Sequence, residues 1–201
     1  MVNPSSENGR LMRRAALAAV VVASGLVVLK AGAWAHTGSV ALLGSLVDSL
    51  LDLVASSLNM FAVRHALAPA DREHRFGYGK AEAVAGLAQA AIIAGSAAFL
   101  AFEAISRLIE PRPVNHGVSG IAVMGLSIVA TFGLVVYQRW VIRRTRSLAI
   151  TADSVHYTGD LLVNASVIVA LVLAEQFGLP AADPVFALGI AAFIAYNAWT
   201  I

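Results

Sequence analysis

Two pairs of residues carry the chemistry of this sequence. Asp48 and Asp52 sit four apart in Leu46-Val47-Asp48-Ser49-Leu50-Leu51-Asp52-Leu53, and His156 and Asp160 sit four apart in Asp153-Ser154-Val155-His156-Tyr157-Thr158-Gly159-Asp160. On an α-helix that spacing puts both members of a pair on one face. Two such helices facing each other would gather three carboxylates and one imidazole, four N/O ligands suited to a tetrahedral divalent ion such as Zn²⁺. Binding requires deprotonated carboxylates and a neutral imidazole, so metal and protons would compete for the same atoms. An imidazole that titrates near neutrality makes that competition responsive to an ordinary pH gradient. A site exposed alternately to two compartments would then exchange metal for protons without further parts.

Both pairs lie inside long apolar runs, and the composition explains why. Hydrophobic residues make up 59% of the 201 residues, against roughly 45–50% in soluble domains. Charged residues are 13%, about half the usual share. A soluble fold could not cover itself with polar groups at that ratio, so the expected class is an all-α membrane protein. Six segments reach the roughly 20 apolar residues that a spanning helix needs: Ala15 to Trp34, Ser39 to Val63, Ala81 to Leu108, Gly117 to Tyr137, Leu148 to Ala174, and Ala182 to Ile201. Arg13 and Arg14 before the first run, with Ala33-Trp34-Ala35 after it, mimic a secretion signal. The run is long for that role and further spans follow, so it reads as a retained helix. Cysteine is absent, which excludes disulfides and thiolate ligands. Carboxylates at membrane depth are costly and normally face a cavity, a partner or an ion.

The connections alternate in charge. Arg10, Arg13 and Arg14, then Arg64, Arg72, Arg75 and Lys80, then Arg139, Arg143, Arg144 and Arg146 fall on one side, leaving Lys30, Arg107 and Arg112 for the other. Lys and Arg favour cytoplasmic loops, so the expected architecture is a six-transmembrane-helix bundle with both termini cytoplasmic. Residues 1–12 read as a disordered cytoplasmic N-terminus and 13–201 as one transmembrane transport domain. Basic residues placed in loops do not form a nucleic-acid patch; the partner is the lipid bilayer, and no protein partner is indicated.

Other readings of these residues exist. A single buried Asp can cap a helix or bond a neighbouring Ser, and a single His can be a satisfied core residue; two matched pairs ask for a common reason. A proton relay without metal tolerates Asp and His, and a channel or a passive metal sensor would also use such a site. An intramembrane metalloenzyme would keep an open coordination position, and the sequence has no His-Glu-x-x-His motif. Asp153 shares the face of His156 and reads as a polar helix-start residue at the membrane surface, or as a lure for cations. Gly86, Ala90 and Ala94, and Ala187, Ala191 and Ala195, form small-residue rows that permit close helix contact. Asn59 and Asn164 are candidates for bonds across helices, Lys80 and Glu82 for holding loop charges together, and His36, His65 and His116 for solvated positions.

These residues lead to a family resemblance covering nearly the whole chain. The six spans, Asp-x-x-x-Asp in the second, His-x-x-x-Asp in the fifth, and Pro-Ala-Asp-x-x-His-x-Phe-Gly-x-Gly-Lys-x-Glu from Pro69 to Glu82 resemble the cation diffusion facilitators, particularly the bacterial zinc/iron efflux type. The resemblance implies a transporter rather than an enzyme, in a bacterial inner membrane. It implies transport-site ligands Asp48, Asp52, His156 and Asp160, exchange of Zn²⁺ (or Fe²⁺, Cd²⁺, Co²⁺ or Mn²⁺) for protons, and a homodimer. Related transporters hold a further metal in the loop after the second span on Asp, His and His. Here Asp71 and His74 match, but the third position is Tyr78, a poor ligand, so a weakened or lost loop site is expected. Family members usually continue into a cytoplasmic metal-binding domain, and the expectation for this sequence, which stops at Ile201, is a transport domain without it. The His-rich loop that some eukaryotic relatives carry before the fifth span is replaced by arginines.

Overall fold

The computed structural model describes residues 7–38, 40–72, 74–75, 77–110, 118–177 and 182–200. Six helices account for nearly all of them: α1 (Glu7–Thr37), α2 (Val40–Ala66), α3 (Lys80–Ile109), α4 (Val118–Thr145), α5 (Leu148–Phe177) and α6 (Ala182–Thr200). α1, α2 over Leu42–Ala66, α3, and α4 over Ile121–Thr145 are long and apolar enough to cross a membrane, and Pro184–Thr200 forms a shorter apolar helix. α5 is as long as α3 but concentrates Thr151, Asp153, Ser154, His156, Thr158 and Asp160 in its first half. These polar groups are turned inward, with Asp153, Ser154 and His156 buried.

α1 packs chiefly on α2 and α4, α3 packs on α6, and α5 touches all five other helices. Large apolar side chains such as Val28, Leu51, Phe61, Phe99, Phe102 and Trp199 point outward, as expected where lipid rather than water is the solvent. Ile93 and Ala97 of α3 meet Ile194 and Ala198 of α6 in one buried cluster. Gly159 lets α6 approach α5 closely, since a Cβ there would lie 2.9 Å from Ile194 Cδ1.

The basic end of the bundle is more ordered than its charges suggest. Residues 7–12, expected to be disordered, form the first turns of α1. Leu11 and Met12 are buried against Val63, Leu67, Val141, Ala149 and Ile150, and the Glu7 carboxylate lies 3.9 Å from Arg144 Nη1. Apolar burial thus extends α1 beyond its most hydrophobic run; residues 1–6 lie outside the described residues. α4 likewise runs past Tyr137 to Thr145, so Arg139, Arg143 and Arg144 are helical rather than loop residues. Arg144 stacks over the Trp140 ring at 4.3 Å.

Only Arg146 and Ser147 connect α4 to α5. Arg146 adopts φ 52°, left-handed backbone that a non-glycine residue seldom takes. Ser147 Oγ accepts from the Ile150 N–H at 3.3 Å, capping α5, and donates to Glu82 Oε1, which also accepts from the Ala149 N–H at 3.4 Å. Glu82 therefore fixes the start of α5, where a role among loop charges was expected. Arg112 and His116 lie outside the described residues.

Candidate metal centre

The i, i+4 spacing delivers its residues to one place where α2 meets α5. Asp52 Oδ1 lies 3.0 Å from His156 Nε2, and the same nitrogen lies 3.6 Å from Asp160 Oδ2. One ligand atom from each of Asp52, His156 and Asp160 lies within 4.8 Å of the other two. Asp160 Oδ2 is buried and makes no hydrogen bond, leaving a carboxyl oxygen without the partner that burial normally demands. Two carboxylate oxygens and one imidazole nitrogen converging at this range form a donor set that a divalent cation would satisfy.

The fourth expected ligand stands apart. Asp48 is exposed and outside the three-residue cluster, one helical turn or about 6 Å along α2. It remains in electrostatic contact with Asp52 and with Lys30. The structure thus brings together three of the four residues and places Asp48 beside them, toward the α1–α2 connection.

Toward the basic end, the space between α2 and α5 is filled by a buried polar network. Gln138 Nε2 donates to Asp153 Oδ2 at 2.6 Å, and Ser56 Oγ donates to Asp153 Oδ1 at 3.4 Å. The Tyr157 hydroxyl lies 2.8 Å from Ser56 Oγ. Asp153 is neither a surface residue nor an exposed lure for cations: it is 0% exposed, because α4 and α5 form a tight pair around it. Ser56 follows Asp52 by one turn and Asp153 precedes His156 by about one turn, so this network floors the cluster. Asn59, expected to bond across helices, is buried with both amide atoms unpartnered, as is Gln138 Oε1. Asn164 instead donates back to the Asp160 carbonyl at 2.8 Å, within its own helix.

Lys30 was not singled out by sequence reasoning, which assigned it to the sparsely charged side. The structure buries it in α1, where Nζ donates to Ser49 Oγ at 2.7 Å and to the Ser45 carbonyl at 3.2 Å. The signal was available: an ionisable residue interrupting Val27-Val28-Leu29 and Ala31 in a spanning run asks for a function.

The α2–α3 connection is organised around Tyr78. Its hydroxyl donates to Asp71 Oδ2 at 2.5 Å, and the His74 backbone N–H donates to Asp71 Oδ1 at 2.6 Å. The Tyr78 ring packs 4.4 Å from the centroids of both His65 and His74. The hydrogen bond to Asp71, reinforced by partial desolvation and the carboxylate charge, pushes the Tyr78 phenol above its ordinary range. Both Asp71 oxygens are thereby engaged within the loop. Glu73 and Phe76 lie outside the described residues.

Comparison with known proteins fits this geometry. Residues 16–201 match the model of the cation efflux transmembrane domain. The chain is 50% identical over 190 residues to the cation-efflux pump FieF of Cronobacter sakazakii, and 50% identical over the same length to that of Citrobacter koseri. It is 48% identical to the FieF of Klebsiella pneumoniae. In each case the alignment covers 94% of this chain and 63% of the relative, so the chain spans somewhat less than two thirds of those pumps.

Proposed function

The chain belongs to the cation diffusion facilitator, or cation efflux, family, and from that premise we propose that it exports a divalent metal ion, zinc foremost, in exchange for protons. It is a multi-pass integral membrane protein, and the proposed setting is a bacterial inner membrane with both termini and the basic end in the cytoplasm. Residues 13–201 act as the transport domain, and the working unit is a homodimer.

The observation that carries the proposal is the convergence of Asp52, His156 and Asp160 within 4.8 Å. These three ligands hold the ion, and Asp48 closes the coordination sphere from one turn away. A loaded site needs a neutral imidazole and ionised carboxylates, so each ion taken up displaces protons and each ion released admits them. Side-chain exposure supports a site open away from the basic end in this conformation. Asp160 is 35% exposed and Asp52 19%, whereas Asp153 and Ser56 on the other side are fully buried. Turnover requires an alternative arrangement in which α2 and α5 part around Ser56 and Asp153. In the α2–α3 loop, Tyr78 and the His74 N–H engage the Asp71 carboxylate, which weakens a metal site on Asp71 and His74.

The test is Zn²⁺ flux into proteoliposomes under an imposed pH gradient, wild type against Asp52→Ala. Saturable flux that needs the gradient and disappears in the variant is the expected result. Flux that persists after the gradient is collapsed refutes proton coupling, and flux unchanged in Asp52→Ala refutes the site. Metal binding without any flux would favour a sensor.

A further inference from the structure

We propose that Lys30 is a built-in counter-cation of the transport site, trimming its charge to the two units that a divalent ion neutralises. This rests on the metal-site reading above and goes beyond it, since Lys30 is no ligand. Lys30 is 7% exposed and sits in the bilayer-spanning part of α1. A buried amine of this kind persists only with compensating charge and hydrogen bonds. Its hydrogen bonds go to Ser49 Oγ and the Ser45 carbonyl of α2. Asp52, Asp48 and Asp160 lie close enough for their charges to act on it.

The tether decides what Lys30 does. Ser49 adjoins Asp48 and precedes Asp52 by three positions, so the amine is anchored on the same helix as two of the carboxylates. No ion pair of Lys30 with a carboxylate occurs among the described residues; Ser49 holds the amine close enough to be felt and far enough to leave the carboxylate oxygens to the cargo. With His156 neutral and the carboxylates ionised, as loading requires, the ligand carboxylates Asp48, Asp52 and Asp160 contribute three negative charges and Lys30 one positive, a net of two negative charges for the region. A divalent ion then brings it to neutrality, while a monovalent ion leaves it charged in a low-dielectric setting. Without Lys30 the loaded site would keep one negative charge, and metal would be held more tightly and released more slowly. Lys30 is thus a specificity and release residue acting through the field.

The experiment is Zn²⁺ titration calorimetry on the purified full chain in nanodiscs, with stopped-flow release of bound Zn²⁺ to a chelator. Wild type, Lys30→Met, Lys30→Gln and Lys30→Arg are compared, with Asp52→Ala as the control. Lys30→Met and Lys30→Gln are expected to lower Kd on the order of tenfold or more, from loss of a unit charge at short range, and to slow release in proportion. Lys30→Arg keeps the charge and stays near wild type. Unchanged or weakened affinity in folded Lys30→Met or Lys30→Gln overturns the proposal. So does a fold lost in both neutral variants but kept in Lys30→Arg, which would make Lys30 a structural tether. Wild type that binds Zn²⁺ no better than Asp52→Ala defeats the metal site itself, and with it this proposal; a shared Asp52-dependent affinity with no Lys30 effect defeats only the latter.

Discussion

Asp52 Oδ1 and His156 Nε2 lie 3.0 Å apart although 104 positions separate them in sequence. Their contact joins the two motif helices on a single axis, with Asp160 completing the cluster from the next turn of α5. Ligands that share one ion act as a unit, and their effects should not add. Asp52→Ala and His156→Ala are each expected to weaken Zn²⁺ binding by about a hundredfold or more, beyond the 10–100-fold cost of losing a merely orienting partner. The double variant should be scarcely worse than either single one. Calorimetry of the full double-mutant cycle checks this; additive losses would mean that the residues bind independently.

Proton competition has a sign. Metal adds only to the deprotonated site, so lowering pH weakens binding and raising it strengthens binding until the metal itself hydrolyses. Zn²⁺ added to weakly buffered protein should release protons, and His156→Asn should release fewer wherever the wild-type imidazole is protonated before loading. Release that is equal in the two proteins would remove His156 from the exchange.

The site and the bundle were legible in the sequence to different depths. The i, i+4 pairs and six apolar runs are periodic, local signals, and the helices formed where those signals lie. Local signals do not state where helices end: Leu11 and Met12 extend α1 because distant residues of α2, α4 and α5 cover them. The same is true of Asp153, whose position three before His156 was visible but whose burial depends on Gln138 from another helix. Lys30 was visible as a charge within an apolar run; its tether to Ser49 is a tertiary fact. Asp48 shows the converse, since its spacing matches Asp52 while the observed conformation leaves it one turn outside the cluster.

Tyr78 offers a titration of its own. The hydrogen bond to Asp71 raises the phenol above its ordinary value, which is about 10. The bond is therefore present at neutral pH and is lost only as pH rises through the raised value. Ultraviolet titration of the phenolate should show a late-titrating component that disappears in Tyr78→Phe, and Asp71→Asn should bring that component down toward the ordinary value. A Tyr78 that titrates normally in wild type would remove the loop clasp. Asp71→Asn should at the same time leave Zn²⁺ stoichiometry unchanged, which separates the loop from the transport site.

Glu82 reaches from α3 to cap the first turn of α5 through Ser147 and the Ala149 N–H. Loss of a helix cap typically costs about 1 kcal/mol. Glu82→Ala should lower thermal stability by that order while leaving Zn²⁺ affinity within about twofold, since the cap lies more than one turn from His156 along a helix rising 1.5 Å per residue. A large loss of affinity with little change in melting would show that this cap sets the position of His156.

Asp153 separates stability from conformational exchange. Its two oxygens accept from Gln138 and Ser56 with no exposure to solvent. Asp153→Ala strands those donors, and leaving buried polar groups unsatisfied costs about 1–3 kcal/mol each. Asp153→Asn keeps the volume but puts an N–H where one of the donors now points, so it should destabilise less than alanine while still loosening the network. If the network closes the path beneath the metal site, a cysteine placed at Ser56 should be protected from a membrane-impermeant thiol reagent in the otherwise wild-type chain, which has no native cysteine. Labelling should increase when Asp153→Asn is added. Equal labelling in both backgrounds, with equal melting temperatures, would mean that Asp153 neither seals this end of the bundle nor stabilises it.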